Sequence, residues 1–268
     1  MKIKNYLLPV TAFMMLLLHT SCEKVIDVDI KDDTGIVVIE GNITDVTGLQ
    51  TVKISRNTSF DNTNTYPAVS GATVKLNDQA GNEYQMAESQ PGTYTYGPLA
   101  AIAGSTYTLS VSVDGKTYTA TSTMPGLVAL DSLSSRNRPT DDQERQVLVH
   151  YKDQAGISNQ YRFVLFINGA QIKSVFAADD DFTDGRAVNT ILRIGSDLDV
   201  DILPGDTATV EMQCIDKPVY TYWYSLMQQQ SSGAFGSATP ANPPSNLNNG
   251  ALGYFSAHTT QTKTIIVK

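Results

Sequence analysis

The N-terminal region carries a cysteine in a setting that suits covalent lipid attachment. Residues 7–18 form an apolar run, and Thr20 and Ser21 stand directly before Cys22. Such a run is shorter than the roughly 20 residues of a membrane-spanning helix and is typical of a signal peptide. Small side chains before a cysteine suit lipoprotein signal peptidase, and the thiol would receive a diacylglyceryl group. The sequence therefore predicts a signal peptide at 1–21 and lipidation of Cys22; the alternative is an ordinary secretory signal followed by a free cysteine.

A lipid on Cys22 would tether the mature protein to a membrane without a spanning helix. Each buried acyl carbon contributes about 0.8 kcal/mol, and two or three chains hold far more firmly than one. Residues 22–34 are acidic and lack a helical apolar stripe, so we expect a short tether there. No later segment of the sequence is long and apolar enough to span a membrane.

Few other residues could carry out catalysis. After residue 21 the sequence has only two histidines, His150 and His258, and Cys214 is the only further cysteine. His150 lies in a predicted strand between Val149 and Tyr151, which favours a structural or surface role. The sequence contains no His-Glu-x-x-His, no paired cysteine knuckle, no Gly-x-Ser-x-Gly elbow and no phosphate-binding glycine loop. We therefore expect no enzymatic activity, no catalytic residues and no cofactor.

Two acidic clusters contain the carboxylates that a calcium site needs. An EF-hand loop starting at Asp197 would require glycine at its sixth position, where the chain has Ile202, and its twelfth position is Ala208. Alternating aspartates on a strand would project from one face, which suits a solvated surface. The sequence assigns no metal site and leaves calcium binding by these clusters open. The clusters are Asp179, Asp180, Asp181 and Asp184, and Asp197, Asp199 and Asp201.

Composition restricts the class of partner and the source of stability. The 268 residues carry a formal net charge of −8, which argues against nucleic acid as a partner. Once Cys22 is lipidated, Cys214 has no cysteine with which to form an internal disulfide. The hydrophobic core must therefore hold an exported protein of this kind together.

Most of the secondary-structure elements that the sequence predicts are strands. Apolar side chains alternate with polar ones at 51–55, 73–76, 107–113 and 118–121, and Asp114-Gly115 suits a tight hairpin. Strands are also predicted at 36–40, 145–151, 161–167, 208–213 and 264–267, with a turn at Asn168-Gly169. We predict an all-β fold of two β-sandwich-like, immunoglobulin-like domains at 35–124 and 125–268.

One short amphipathic helix is predicted in the second domain, at about 217–230. Asp216 can cap it, Pro218 is tolerated in its first turn, and Gly233 follows its end. Its apolar positions share one face, and core packing is favoured over a ligand platform for them. These positions are Val219, Tyr222, Trp223, Leu226 and Met227.

The segment after the helix is the candidate binding surface. Residues 234–253 are rich in proline, asparagine and glycine, which predicts a long irregular loop of defined shape. In the binding hypothesis Asn246, Tyr254 and Phe255 contact a ligand or partner, with Tyr254 reaching outward. In the alternative hypothesis the loop covers the open end of the second sandwich and both aromatic side chains are buried.

Several ordered stretches stand out along the chain, at 38–43, 51–56, 67–74, 181–185, and 242–247 running into 250–257. Together they resemble the DUF4249 family, lipoproteins of Bacteroidota. The resemblance covers almost all of the chain after residue 21. It implies an outer-membrane lipoprotein of a kind often encoded near TonB-dependent receptors, and it assigns no catalytic residues. Glu23, Asp27 and Asp29 partly match an acidic surface-export signal that Lys24 and Val25 interrupt, so periplasmic and cell-surface orientations both stay open.

The resemblance and the residues together give three functional hypotheses. The first is an accessory or ligand-binding lipoprotein that works with a TonB-dependent outer-membrane transporter. The second is an adhesin or envelope scaffold without a small-molecule ligand. The third, a hydrolase, is disfavoured because the nucleophile–base pattern is missing.

Overall fold

A computed structural model describes residues 34–59, 66–139, 141–195, 198, 200–231 and 241–268. Cys22, the predicted signal peptide and the predicted tether up to residue 33 lie outside them. The strands are β1 (Val37–Thr44), β2 (Gly48–Arg56), β3 (Thr73–Asp78), β4 (Glu83–Gln90), β5 (Thr93–Leu99), β6 (Thr106–Val113), β7 (Lys116–Thr123), β8 (Leu130–Arg138), β9 (Asp141–Lys152), β10 (Gln160–Ile167), β11 (Ala170–Gln171), β12 (Phe176–Asp179), β13 (Ala187–Leu192), β14 (Thr207–Ile215) and β15 (Leu252–Ile266). One helix, α1 (Lys217–Ser231), lies between β14 and β15 in the described chain. The predicted all-β, sandwich-like fold with one short helix is confirmed.

The strands pair into two sheets. The large sheet has twelve strands in the order β11-β10-β14-β15-β1-β2-β5-β4-β3-β6-β7, and β12 also pairs with β10. The small sheet has the order β13-β9-β8. The two-residue turns that the sequence predicts are present, because Asp114 and Gly115 have φ of 52° and 72°, and Asn168 and Gly169 have φ of 50° and 82°.

The last strand joins both halves of the molecule. Its first half pairs parallel to β1, from Val38 opposite Leu252 to Thr44 opposite His258. Its second half pairs antiparallel to β14, from Cys214 opposite Thr259 onward. The strand predicted at 264–267 was therefore too short. Residues 253–259 are buried on both faces and show no alternation, which is why the sequence pattern missed them.

The buried side chains of the described residues form a core in each half. Ile39, Val52 and Leu109 belong to the first core. Phe255 and Ala257 of the last strand also pack there, although they lie within the predicted second domain. The division at residue 124 stays a prediction. The strand β15 links the two predicted domains, because its first half pairs with β1 and its second half pairs with β14. The second core includes Val149, Tyr161, Leu165, Val210 and Met212.

Asp216 starts α1 and ties it to the first half. Its Oδ1 accepts a hydrogen bond from the Val219 amide at 3.2 Å, which is the predicted cap. Its Oδ2 accepts from the Ser122 hydroxyl at 2.8 Å and from the Thr123 amide at 3.1 Å. Burial raises the pKa of the Asp216 carboxyl. Within the described residues, no helix combines the length and apolarity needed to cross a membrane.

Candidate functional site

An apolar groove between the two sheets is the concave feature best suited to a ligand. It has a volume of about 350 Å³ and lies between two edge strands, β12 of the large sheet and β13 of the small sheet, beside α1. A second cavity of about 90 Å³ shares Val175, Arg193 and Met227 with it. The groove is lined by Phe163, Val175, Phe176, Ala177, Ala178, Thr190, Ile191, Leu192, Arg193, Met227 and Gln228.

The C-terminal half of α1 holds one wall of the groove in place. Gln230 Nε2 donates to the Lys173 carbonyl at 3.1 Å, and Gln230 Oε1 accepts from the Val175 amide at 2.8 Å. The Ala177 amide donates to Met227 Sδ at 3.4 Å. These contacts bind the helix to the segment that leads into β12. The wall is therefore set by tertiary contacts and not by β12 alone, which is only four residues long.

The polar group of interest at the groove is Arg193. Its side chain is exposed, and among the described residues no carboxylate lies within ion-pair distance of it. The neighbouring lining residues Ile191 and Leu192 are apolar. An apolar groove with a guanidinium at its edge has the chemistry to bind an amphiphile with an acidic group.

Tyr254 is buried, as the alternative hypothesis expects, and does not reach outward as the binding hypothesis requires. It is 5% exposed and lies beneath α1, with its ring centroid 5.0 Å from that of Trp223 and 5.1 Å from that of Tyr222. Asn42 Nδ2 donates to the Tyr254 hydroxyl at 3.2 Å. The apolar face of α1 thus contacts the sheet as predicted, although Trp223 is only half-buried.

Arg162 completes this cluster beneath the helix. Its guanidinium carbon lies 3.7 Å from the centroid of the Trp223 ring, and its Nη1 donates to Gln213 Oε1 at 3.0 Å. Burial lowers the pKa of Arg162. A cation stacked on an aromatic ring is stabilised by the electrons of the ring face, so this contact helps to fix α1 on the sheet.

The two histidines after the predicted signal peptide, His150 and His258, and the thiol of Cys214 occupy structural positions. His258 is 2% exposed, its Nδ1 lies 2.9 Å from Ser256 Oγ, and burial lowers its pKa to about 3. His150 contacts Ser134 Oγ and Asn189 Oδ1 on the neighbouring strands, both at 2.6 Å. Cys214 is buried and free, and burial raises the pKa of its thiol. Burial therefore favours the neutral imidazole of His258 and the protonated thiol of Cys214.

The asparagine-rich segment lies along the edge strand β7. Asn246 Nδ2 donates to the Phe255 carbonyl at 2.7 Å and its Oδ1 accepts from the Phe255 amide at 2.9 Å. Asn248 Oδ1 accepts from the Thr119 amide at 2.7 Å, and Asn249 Nδ2 donates to the Thr117 carbonyl at 2.7 Å. Side-chain amides thus pair with backbone groups that an edge strand would otherwise leave open.

This placement corrects the sequence expectation for the segment. Both aromatic side chains are buried, since Phe255 is 0% exposed in the first core. The loop, however, covers the edge of the first sheet half and not the open end of the second sandwich. The structure brings Asn246 and Phe255 into direct contact and places Tyr254 on the opposite face of β15, beneath α1. Residues 234–240 of the predicted loop lie outside the described residues.

The first acidic cluster has a partner that the sequence analysis missed. Asp153, which follows β9, brings a carboxylate oxygen within 4.8 Å of oxygens from Asp180 and Asp184. Asp153 lies far from the others in the sequence, and no local spacing could link them. Asp197 and Asp199 of the second cluster lie outside the described residues. The groove was missed for a similar reason, because residues from distant segments line it. The adjacent, half-buried Ala177 and Ala178 are a local signal, since their small side chains leave space.

Comparison with known proteins gives one family and, among solved structures, distant matches, three of which are described below. The family model "Domain of unknown function (DUF4249)" matches residues 23–264. No curated protein matches the sequence.

The solved structures that match this chain are only distantly similar to it, in both sequence and superposition. A two-domain fibronectin type-III segment of chicken tenascin is 14% identical, with 68% of this chain and 91% of that chain covered and a TM-score of 0.21. The Yersinia pseudotuberculosis adhesin InvE is 19% identical, with 66% of this chain and 55% of the adhesin chain covered and a TM-score of 0.20. The Group B Streptococcus pullulanase SAP is 14% identical, with 66% of this chain and 22% of the pullulanase chain covered and a TM-score of 0.19. The chain spans about half of the adhesin and less than a quarter of the pullulanase.

Proposed function

Since the chain belongs to the DUF4249 family, we propose that it is a lipid-anchored outer-membrane accessory protein that binds a small amphiphilic ligand. The observation that carries the ligand-binding part of this proposal is the apolar groove of about 350 Å³ beside Arg193. Small-molecule sites commonly enclose about 300–1,000 Å³ and are lined mainly by apolar side chains with a few polar groups. The family resemblance supports the further proposal that the protein assists a TonB-dependent transporter.

The ligand chemistry follows from the lining of the groove. Its walls would contact an apolar body through Ile191, Leu192 and Met227, and the exposed guanidinium of Arg193 would pair with an acidic group. The guanidinium lies in solvent, so its contribution to affinity is modest. A ligand with a fused-ring or acyl body and a single anionic group fits both features.

Binding in the groove is testable with 8-anilinonaphthalene-1-sulfonate, which has an aromatic body and one sulfonate. Ala178→Trp should fill the groove and weaken binding by about tenfold or more, the equivalent of about 1.4 kcal/mol. Arg193→Gln should weaken it only about two- to fivefold, as expected for an exposed ion pair. Fluorescence titration of the purified protein measures both effects.

The matched control places the same large side chain elsewhere. Ala80 lies in an exposed turn between β3 and β4, so Ala80→Trp should leave probe binding unchanged. Melting temperatures of all variants show whether each is folded. Equal binding by Ala178→Trp and the wild type would place the ligand outside the groove and favour the adhesin or scaffold hypothesis.

The anchor proposal predicts an all-or-none change in location. Cys22→Ser removes the thiol that would be lipidated, so the protein should lose palmitate labelling and leave the membrane fraction. The reason is that several acyl chains, at about 0.8 kcal/mol per buried carbon, supply the attachment. Cys214→Ser is the matched control and should keep both label and location, because that thiol is buried in the fold. Unchanged labelling of Cys22→Ser contradicts the anchor.

The transporter association has its own test. Recovery of the lipidated protein from native membranes under mild detergent should bring down a TonB-dependent receptor in stoichiometric amount. Recovery of the protein without such a receptor favours the scaffold hypothesis. This outcome leaves ligand binding in the groove as a separate question, because the groove test uses the purified protein.

A further inference from the structure

Three carboxylates converge where loops connect the two sheets of the second half. Asp153 follows β9, whereas Asp180 and Asp184 lie in the connection between β12 and β13. One oxygen from each lies within 4.8 Å of the others. Asp153 is 2% exposed and Asp180 is 4% exposed. No ion pair between described residues involves these groups, so their negative charges repel one another without a side-chain cation to offset them.

Hydrogen bonds fix the carboxylates but do not use all of their oxygens. The Tyr161 hydroxyl donates to Asp153 Oδ1. The backbone donors are Gly185 to Asp153 Oδ2 at 3.0 Å, Asn159 to Asp180 Oδ2 at 2.6 Å, and Gly156 to Asp184 Oδ1 at 2.7 Å. In the described chain, no hydrogen bond is found to Asp180 Oδ1 or Asp184 Oδ2.

Two residues whose backbone amides contact Asp180 carry buried side-chain oxygens without a hydrogen-bond partner. Asn159 is 3% exposed, and its Oδ1 is buried without a hydrogen-bond partner, although its backbone amide contacts Asp180. Thr183 Oγ1, in the loop between Asp180 and Asp184, is also buried without a partner. Buried polar atoms in native proteins nearly always have a partner, because an unsatisfied one is costly. A bound cation would satisfy these oxygens and neutralise the carboxylates together.

We propose that Asp153, Asp180 and Asp184 bind a calcium ion, with the Asn159 amide oxygen and the Thr183 hydroxyl as further ligands. All five groups present oxygen, which hard cations prefer, and the set contains no sulfur or imidazole nitrogen that would favour zinc. Calcium binds oxygens at about 2.3–2.6 Å, so ligands on opposite sides of it lie about 4.8 Å apart. Magnesium binds at about 2.0–2.1 Å and demands a more regular octahedron.

The position of the site gives it a structural role. β12 belongs to the large sheet through β10, and β13 belongs to the small sheet through β9. An ion that holds the β12–β13 connection against the loop after β9 would fix the spacing of the two strands that line the groove. Calcium binding itself does not depend on the ligand proposed for the groove, and the two proposals can fail separately.

The test uses the purified full-length protein after treatment with EDTA. Calcium chloride should raise the melting temperature in proportion to the logarithm of its concentration once binding saturates. A dissociation constant of about 0.1–1 mM is expected, as in extracellular calcium modules. Terbium should bind in place of calcium, and its luminescence should be excited through the tyrosines, since Tyr161 contacts Asp153. Magnesium chloride at equal concentration should produce a smaller rise.

Matched aspartate variants separate a site from a general charge effect. Asp184 is exposed, so Asp184→Asn should fold and should weaken calcium binding by about tenfold, equivalent to about 1.4 kcal/mol. Asp181→Asn removes the same charge from the same loop. Because Asp181 is outside the cluster, the calcium affinity of this variant should equal that of the wild type. The proposal is overturned if calcium up to about 10 mM, above the usual range for weak extracellular sites, changes neither melting nor luminescence. It is also overturned if both variants lose affinity equally.

Discussion

Gly253→Ala should destabilise the protein by about 4 kcal/mol or more, a loss that single substitutions cause only through severe steric or burial defects. Gly253 has a φ of +92°, and a Cβ there would lie 2.1 Å from the Ile39 carbonyl oxygen. Ile39 is its partner in the parallel pairing of β1 with β15, and neither backbone can move without breaking that pairing. The urea midpoint of the purified variant, or protease resistance in cell extracts if it does not accumulate, measures the loss.

Gly250→Ala is the matched control for the backbone conformation. Gly250 also has positive φ, +77°, but a Cβ there meets no atom within 4 Å. Its cost should therefore be only the left-handed strain of about 1–2 kcal/mol. A Gly253→Ala protein as stable as Gly250→Ala would mean that β1 and β15 are not paired in this register.

Phe255→Ala should cost about 3–5 kcal/mol, the usual range for deleting a large aromatic side chain from a packed core. Phe255 is 0% exposed, and its ring fits closely against β1, since a Cβ on Gly41 would lie 2.8 Å from Phe255 Cδ2. Such tight packing leaves little room for neighbouring side chains to collapse into the cavity. The shift in urea midpoint, with an unchanged slope, measures the effect.

The control is the same substitution at an exposed phenylalanine. Phe182 is 90% exposed, so Phe182→Ala should change stability by no more than about 0.5 kcal/mol. The pair also tests the binding role that the sequence suggested for Phe255. If Phe255→Ala keeps the wild-type melting temperature and loses only ligand or partner binding, Phe255 is a recognition residue and its place in the core is wrong.

Local patterns in the sequence determined the class of fold and several elements. Alternating apolar residues predicted most of the strands that have one buried face, and Asp114-Gly115 and Asn168-Gly169 predicted the tight turns, because positive φ favours these residue types. Asp216 predicted the start of α1, since a cap acts on amides two or three residues away. These features depend on neighbours in the chain, which is why one sequence suffices to find them.

Tertiary structure alone decided the roles of the candidate site residues. Tyr254 is covered by Trp223, and Phe255 enters the first core, because β15 pairs with β1 more than 200 positions earlier in the chain. Both faces of that part of β15 are buried, so no alternation marks it as a strand. The approach of Asp153 to Asp180 and Asp184, and the groove between β12 and β13, likewise arise from contacts between distant segments. The free energy of such contacts depends on which segments meet, and that information is absent from the spacing of residues along the chain.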